Sequence, residues 1–305
     1  MATSTLVRPR PEEVDLETTA RTILNRHPAV GLAIGIVRDG RPASFHGEGL
    51  ADIASGTPVT ENTVFRIASV TKTFTAIAVM QLRDRGLVDL DAPANEYLRA
   101  FKLAPASARF RPATLRHLLT HTAGIREALH VTDLLHLRNM GSTVAAGRRI
   151  PSPAELYGGA LRIDADPGSR FMYTNHGFAA LGQIVEDVSG QPLHRYFREH
   201  IFEPLGMSDT TLLLAEVPMA RLATAYELRS RGPEKVSPYE VVPPAEGGIN
   251  STPSDMARYL AALLGNGAND HGSVLQPATL REMFAPSFQP DPRLPGIGLG
   301  FFRAN

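Results

Sequence analysis

Apolar positions crowd most densely in residues 65–86, FRIASVTKTFTAIAVMQLRDRG. From Val70 onward, Phe74, Ala76, Ile77, Ala78, Val79, Met80 and Leu82 leave almost no polar face. A helix apolar on nearly all sides belongs in a core. Arg83, Asp84 and Arg85 make its polar end, and Gly86 stands where a glycine stops a helix. The pattern therefore predicts one buried helix whose first turn carries Ser69 and Lys72.

The rest of the chain alternates between the two periods. Residues 12–26 repeat Val14, Leu16, Ala20, Ile23 and Leu24 at helical spacing, behind a loosely held N-terminal tail. Residues 31–38 and 43–49 are short strands separated by the Asp39-Gly40 turn signal, which predicts a β-hairpin. Helices are expected at 114–121, ended by Ala123-Gly124, and through much of 126–165 with breaks at Gly141 and Pro151 to Pro153. Further helices fall at 178–188, closed by Ser189-Gly190, and at 193–202, 254–264 and 277–284. Residues 229–248 hold four prolines and read as an extended surface loop. The final GIGLGFFRAN reads as the opening of a strand. This order suggests an N-terminal tail and helix (1–27), then one domain (28–305). Within it, a sheet-bearing part (28–90 and 246–305) is built from both ends around a mostly helical part (91–245).

Composition narrows the function classes. With 43% hydrophobic and 20% charged residues the chain is that of a soluble globular protein. Acidic and basic residues balance at 31 each and no basic block stands out, which argues against nucleic acid as a partner. Without cysteine there is no disulfide, thiolate metal site or Cys nucleophile. No apolar run approaches the ~20 residues of a membrane span. The N-terminus lacks the apolar segment of a secretory signal, so a cytoplasmic location is expected for the chain as written.

The scarcity of lysine gives the 65–86 helix its chemical interest. Only Lys72, Lys102 and Lys235 stand among the 31 Lys and Arg residues. Where this chain needs a mere cation it uses Arg, which stays charged; in its one apolar helix it uses Lys, which can lose a proton when desolvated. Ser69 and Lys72 are three residues apart, hence neighbours on one helix face, and a serine needs a nearby base to become a nucleophile. Ser69 as a helix cap and Lys72 as a snorkelling side chain is the plainer alternative. Tyr173 and Asn175 add a phenol, which a neighbouring ammonium can hold partly ionised, and an amide able to orient a lysine or a carbonyl. His117 and His121 lie at metal-ligand spacing, but the Glu of a zinc-protease helix is missing, and a structural role is the expectation for both.

Taken together, Ser69-Val70-Thr71-Lys72, the run TLRHLLTHTAG (114–124), Tyr173-Thr174-Asn175 and the run EGGINSTPSDMAR (246–258) resemble the serine β-lactamase and penicillin-binding-protein superfamily. The likeness lies on the side of class C β-lactamases, D-Ala-D-Ala carboxypeptidases and β-lactamase-like esterases, and runs from about residue 28 to the end. It implies an α+β fold, an antiparallel sheet flanked by helices plus a mostly helical domain, with the active-site cleft between them. It also implies a serine hydrolase working through an acyl-enzyme on a small-molecule ester, amide or β-lactam. Ser69 would be the nucleophile, Lys72 its proton acceptor or electrostatic partner, Tyr173 the base and acid, and Asn175 the orienting, substrate-binding residue. No metal or organic cofactor is implied. The missing signal segment tilts the expectation towards an esterase-like member.

One departure stands out. The family's third motif, a His-x-Gly or Lys-Thr-Gly triplet on a late strand, is not found; His271-Gly272-Ser273 has suitable letters but falls in a polar loop between two helices. The resemblance would place the triplet beyond Asn305, so the chain reads as truncated, without a strand that supplies an oxyanion-hole donor typically worth about 10²–10³ in rate. A catalytically impaired or non-catalytic binding protein of the same fold is the alternative. A Ser-His-Asp hydrolase of another fold is disfavoured, because no Gly-x-Ser-x-Gly elbow occurs.

Overall fold

The structure, a computed structural model, describes residues 15–127 and 143–303. It is α+β. Helix α1 (Leu16–Arg26) starts at Asp15, whose side chain accepts the Thr18 N–H, an ordinary N-cap. Strands β1 (Gly31–Arg38) and β2 (Arg41–Asp52) form the expected hairpin, with Asp39 and Gly40 both at positive φ (51° and 72°). Two successive left-handed residues match the twist of a tight hairpin, which is why Asp-Gly signals it. Short β3 (Thr57–Pro58) adds to β2, and the strand order is β1-β2-β3. Helices α1 and, late in the chain, α7 (Pro253–Leu264) pack against this hairpin.

The helix of residues 65–86 proves to be three elements. Phe65–Arg66 is strand β4, Ala68–Val70 is a single 3-10 turn, and only Thr71–Asp84 is α-helix, α2. Val70 therefore lies outside the core, 43% exposed. The rest of the expectation holds, since eleven of the fourteen residues of α2 are buried. Phe74, Ile77, Met80 and Leu82 are fully enclosed, each stabilising by roughly 1.5–3 kcal/mol relative to exposure. The polar residues of α2 are buried with partners: Thr75 Oγ1 donates to the Ala245 carbonyl (2.7 Å), and Gln81 Nε2 donates to the carbonyls of His200 and Val274 (2.9 Å each).

Between α2 and the second long helix run β5 (Lys102–Pro105), α3 (Leu115–Leu119), β6 (Thr143–Ala145), α4 (Pro153–Tyr157) and β7 (Ala160–Ile163). The helix expected through 126–165 is thus largely strand and turn where it is described; its part at 128–142, Gly141 included, lies outside the described residues. β5 and β7 pair in parallel, and β6 pairs antiparallel with Tyr239–Val241. Helix α5 (Asn175–Ser189) is capped by Thr174 and closed by Gly190 at φ 71°. It packs against α2 and against the turn 244–246. Then come α6 (Leu193–Phe197), continued by a π-turn at Arg198–Phe202, the hairpin β8 (Tyr226–Arg229) and β9 (Gly232–Lys235), β10 (Tyr239–Val241), β11 (Asn250–Ser251), α7 and α8 (Pro277–Phe284).

Two expectations change here. Residues 229–248 are not a plain surface loop, because the chain dives inward after β10 and buries Val242, Ala245 and Glu246. Of its four prolines, Pro243 and Pro244 lie in this descent, whereas Pro233 is exposed in the β8–β9 hairpin. The segment 296–303 makes isolated bridges, Ile297 to Phe288 and to Phe302, instead of opening a strand. There Gly300 (φ 79°) lies flat on α2: a Cβ on it would come 2.4 Å from the Cβ of Ala76. Its N–H donates to the Leu119 carbonyl.

Candidate active site

The turn that presents Ser69 is pinned at its base. β4 pairs with β11, the Ile67 N–H donates to the Ile249 carbonyl (3.1 Å), and the Ile249 N–H donates to Thr71 Oγ1 (3.2 Å). Ala68, one residue before the serine, is held at φ 44°, a region costly for a residue with a Cβ. Ser69 emerges exposed at the mouth, and Lys72, one turn deeper, is 4% exposed.

Lys72 Nζ donates to three acceptors: Ser69 Oγ (3.1 Å), Asn175 Oδ1 (2.7 Å) and the backbone carbonyl of Glu246 (2.7 Å). Three acceptors around one nitrogen use the three N–H bonds of an ammonium. Tyr173 Oη donates to the same Ser69 Oγ at 2.9 Å. The Lys72 nitrogen also lies 5.2 Å from the centre of the Tyr173 ring. The four residues singled out in the sequence thus converge on one point, though Tyr173 is 104 positions from Ser69 and Asn175 is 103 from Lys72.

Each distant segment is held by residues that sequence reasoning did not place at the site. His121, in a left-handed turn after α3 (φ 56°), accepts the Met172 N–H on its carbonyl (2.7 Å) and the Thr174 N–H on Nδ1 (3.3 Å). Its ring stacks on Tyr173 with centres 4.5 Å apart. It grips the backbone on both sides of the phenol and backs its ring. Burial, followed by the charge of Lys72, pushes His121 down to about 3, so it stays a neutral imidazole. His117 instead caps α3, accepting the Thr114 N–H on Nδ1. The two histidines therefore have separate structural partners, and no group of three or more His, Cys, Asp or Glu that could hold a metal occurs among the described residues.

Glu127 accepts the Asn175 backbone N–H on one carboxylate oxygen and the Asn175 side-chain amide on the other, both at 2.6 Å. Its carbonyl meets His176 Nε2 at 2.9 Å, and His176 Nδ1 meets the Tyr157 hydroxyl at 3.1 Å. Glu246 is 3% exposed, and its Oε2 has no hydrogen-bond partner among the described residues. Burial pushes its carboxyl up to about 8; the Lys72 charge opposes the shift and the Glu127 charge adds to it. Burial, followed by the charges of Glu246 and Glu127, raises the Tyr157 phenol well above its usual range. Glu246 opens the EGGINSTPS run that the sequence marks, but its burial has no local signal. Nothing in the sequence marks Glu127.

His271-Gly272-Ser273 stays in the turn between α7 and α8. Its imidazole packs on Gly206, where a Cβ would lie 2.6 Å from His271 Cγ.

The sequence pattern of the Beta-lactamase family matches residues 16–305. The chain belongs to that family. An uncharacterized protein of Mycobacterium tuberculosis is 33% identical over 258 residues, covering 77% of this chain and 62% of that protein. Esterase EstB of Burkholderia gladioli is 32% identical over 235 residues, covering 73% of this chain and 57% of the esterase. The chain thus spans about six-tenths of the length of the curated relatives it matches. Among solved structures, the octameric penicillin-binding protein homologue from Pyrococcus abyssi superposes with a TM-score of 0.74 at 29% identity, over 93% of this chain and 63% of that one. Family membership fixes the fold and the superfamily. No helix among the described residues is long and apolar enough to cross a membrane.

Proposed function

We propose that the chain carries the acyl-transfer site of a serine hydrolase that cleaves an ester or amide of a small molecule through an acyl-enzyme. The observation that carries this reading is the convergence on Ser69 Oγ of a buried lysine nitrogen at 3.1 Å and a phenol oxygen at 2.9 Å. With the N–H bonds of Lys72 spent on three acceptors, Lys72 acts as the electrostatic partner, and Tyr173 takes the part of the base. With Tyr173 as phenolate, its own proton released to solvent, the Ser69 proton passes to Tyr173 Oη as Oγ bonds to the substrate carbonyl carbon. Tyr173 returns that proton to the leaving oxygen or nitrogen as its bond to the carbonyl carbon breaks. Water, or an alcohol, then gives its proton to Tyr173 as it bonds to the acyl carbon, and Tyr173 passes that proton to Ser69 Oγ as the Oγ–carbon bond breaks, releasing an acid or a new ester.

Asn175 holds Lys72 in line through Oδ1, and this reading assigns it the orientation of the substrate carbonyl as well. The cleft would lie between the sheet-bearing part (28–90 and 246–305) and the helical part (91–245). A relative such as EstB, named an esterase, supports an ester substrate. A relative of Aspergillus terreus at 32% identity, named a methylbutanoyltransferase, supports discharge of the acyl group to an acceptor other than water.

The test is labelling with a fluorophosphonate probe followed by peptide mass analysis. The expected result is a single adduct on Ser69 that Ser69→Ala abolishes. An adduct on another residue rejects the assignment. A wild-type protein that labels no faster than Ser69→Ala favours a non-catalytic member of the fold.

A further inference from the structure

We propose that Glu127 is a positioning residue that acts through Asn175, fixing the side-chain amide so that its carbonyl, and not its NH₂, faces Lys72. The inference rests on the serine-hydrolase reading above and extends it to a residue that reading does not use.

Chemistry at the two ends of the amide leaves one orientation. An ammonium has only donors, so whatever faces Lys72 Nζ must accept; a carboxylate has only acceptors, so whatever faces Glu127 must donate. Asn175 satisfies both, with Oδ1 at 2.7 Å from Lys72 and Nδ2 at 2.6 Å from Glu127 Oε1. The second oxygen of Glu127 accepts the Asn175 N–H at 2.6 Å, so the carboxylate grips both backbone and side chain of the residue it orients. Charge-assisted hydrogen bonds to an ionised partner are about twice as strong as neutral ones. The same linkage sets a negative charge one amide away from a nearly fully buried cation, where an uncompensated charge would be costly. Glu127 is itself anchored, since His176 Nε2 meets its carbonyl at 2.9 Å. Glu246 does not compete for this task, because its carbonyl and not its side chain meets Lys72.

The geometry specifies the variants. In Glu127→Gln the carboxamide can accept the Asn175 N–H, but its own NH₂ then faces the Asn175 NH₂. Either a bond is lost, or Asn175 turns its NH₂ towards Lys72. In Asn175→Asp, two carboxylates face each other. In the double swap Glu127→Gln with Asn175→Asp, the Gln oxygen accepts the backbone N–H, the Gln NH₂ donates to Asp, and Asp still accepts from Lys72. The net charge of the group is unchanged.

The experiment measures second-order fluorophosphonate labelling of Ser69, together with kcat and KM on a p-nitrophenyl ester and urea unfolding, for wild type, both singles and the swap. Each single variant is expected to slow acylation by roughly 10²-fold, chiefly in kcat, as small misplacements of catalytic groups do. The swap is expected to recover at least about tenfold of that loss, a coupling within the usual range for residues in direct contact. Singles within about twofold of wild type, or a swap no faster than the product of the two single losses, overturn the proposal. Where a single variant does not melt cooperatively, Glu127→Asp, which keeps two acceptors, takes its place and is expected to retain more activity than Asn175→Asp. A wild type that labels no faster than Ser69→Ala overturns the hydrolase reading instead. The orientation claim is then decided by whether the two substitutions still couple in urea unfolding.

Discussion

The β1–β2 hairpin and the α2–α5 pair are built to opposite specifications. Along both strands of the hairpin, Ala51 alone is buried. Its turn chemistry is standard and its side chains are mostly half-exposed, although at Gly31, Gly47 and Gly49 a Cβ would come within 2.3 to 2.4 Å of a carbonyl oxygen. In α2 and α5 fully enclosed residues follow one another, and side chains rather than backbone carbonyls set the limits. Gly35 in β1 has nothing within 4 Å of the place a Cβ would take, whereas a Cβ on Gly182 of α5 would lie 2.3 Å from the Cβ of Ala245 in the descending segment. A protein interior is close-packed, so a constraint at one point is passed to its neighbours; a half-exposed sheet absorbs it. The chemistry-bearing residues all stand on or beside the crowded pair. Crowding is what lets four segments far apart in sequence hold hydrogen bonds of 2.6 to 3.1 Å.

The contrast can be broken first at Lys72. Lys72→Arg keeps a cation but replaces a compact three-donor head with a wider planar fork. Acylation of Ser69 is expected to fall by on the order of 10³-fold, in the range of losses seen when members of a catalytic unit are removed. Labelling rates at matched probe concentration check it, with a melting curve to show that the fold survives. Retained labelling would mean that charge alone is what the site takes from this position.

A second comparison sets Gly182→Ala against Gly35→Ala. The first forces α5 and the 244–246 turn apart, and with them the Glu246 carbonyl that holds Lys72; overpacking of this kind costs about 1–3 kcal/mol. The second is expected to stay within about 0.5 kcal/mol of wild type. Urea unfolding measures both. Equal effects would erase the distinction between the two regions.

A third comparison lies in pH dependence. Glu246 has its folded pKa raised to about 8 from an ordinary 4.5. Its proton-linked stability is therefore complete below about 4.5 and is lost as pH rises towards 8, because the unfolded chain releases a proton that the folded chain retains. The steepest contribution of one such group is about 1.4 kcal/mol per pH unit. Glu246→Gln, which keeps the shape without the titration, is expected to flatten the decline in melting temperature across that window. An unchanged slope in the variant would assign the decline to other groups. In the hairpin the sign is reversed. Hydrogen bonds from Thr224 and Ser55 hold Asp52, at the end of β2, down at about 2, so its contribution is present above an ordinary 3.8 and is lost as pH falls towards 2.

Much of the site is legible in the sequence, for reasons that particular residues make plain. Ser69 and Lys72 sit one turn apart, so their proximity follows from helical spacing even though the serine proves to lie in a 3-10 turn. Tyr173 and Asn175 flank a helix start and stand out by their chemistry and by resemblance. Glu127 and Glu246 escape such a reading because an acidic residue in a sequence is taken for a solvated one. The packing of the 244–246 turn against α2 and α5 buries Glu246, and Asn175 gives Glu127 its task. The helix expected at 126–165, over its described residues, and the surface loop expected at 229–248 fail for a related reason. Neither a short strand paired with a distant one nor a proline segment turned inward has a local period to betray it.

The sequence by itself determined the elements whose cause is local: the Asp39-Gly40 hairpin, the apolar helix α2, and the glycine stops. These follow from backbone preference and side-chain period within a few residues. Tertiary structure alone decided which polar groups meet. The bonds to Lys72 and Asn175 join positions 48, 103 and 174 residues apart, and such pairings form only when the packed core brings their segments together and excludes water from between them.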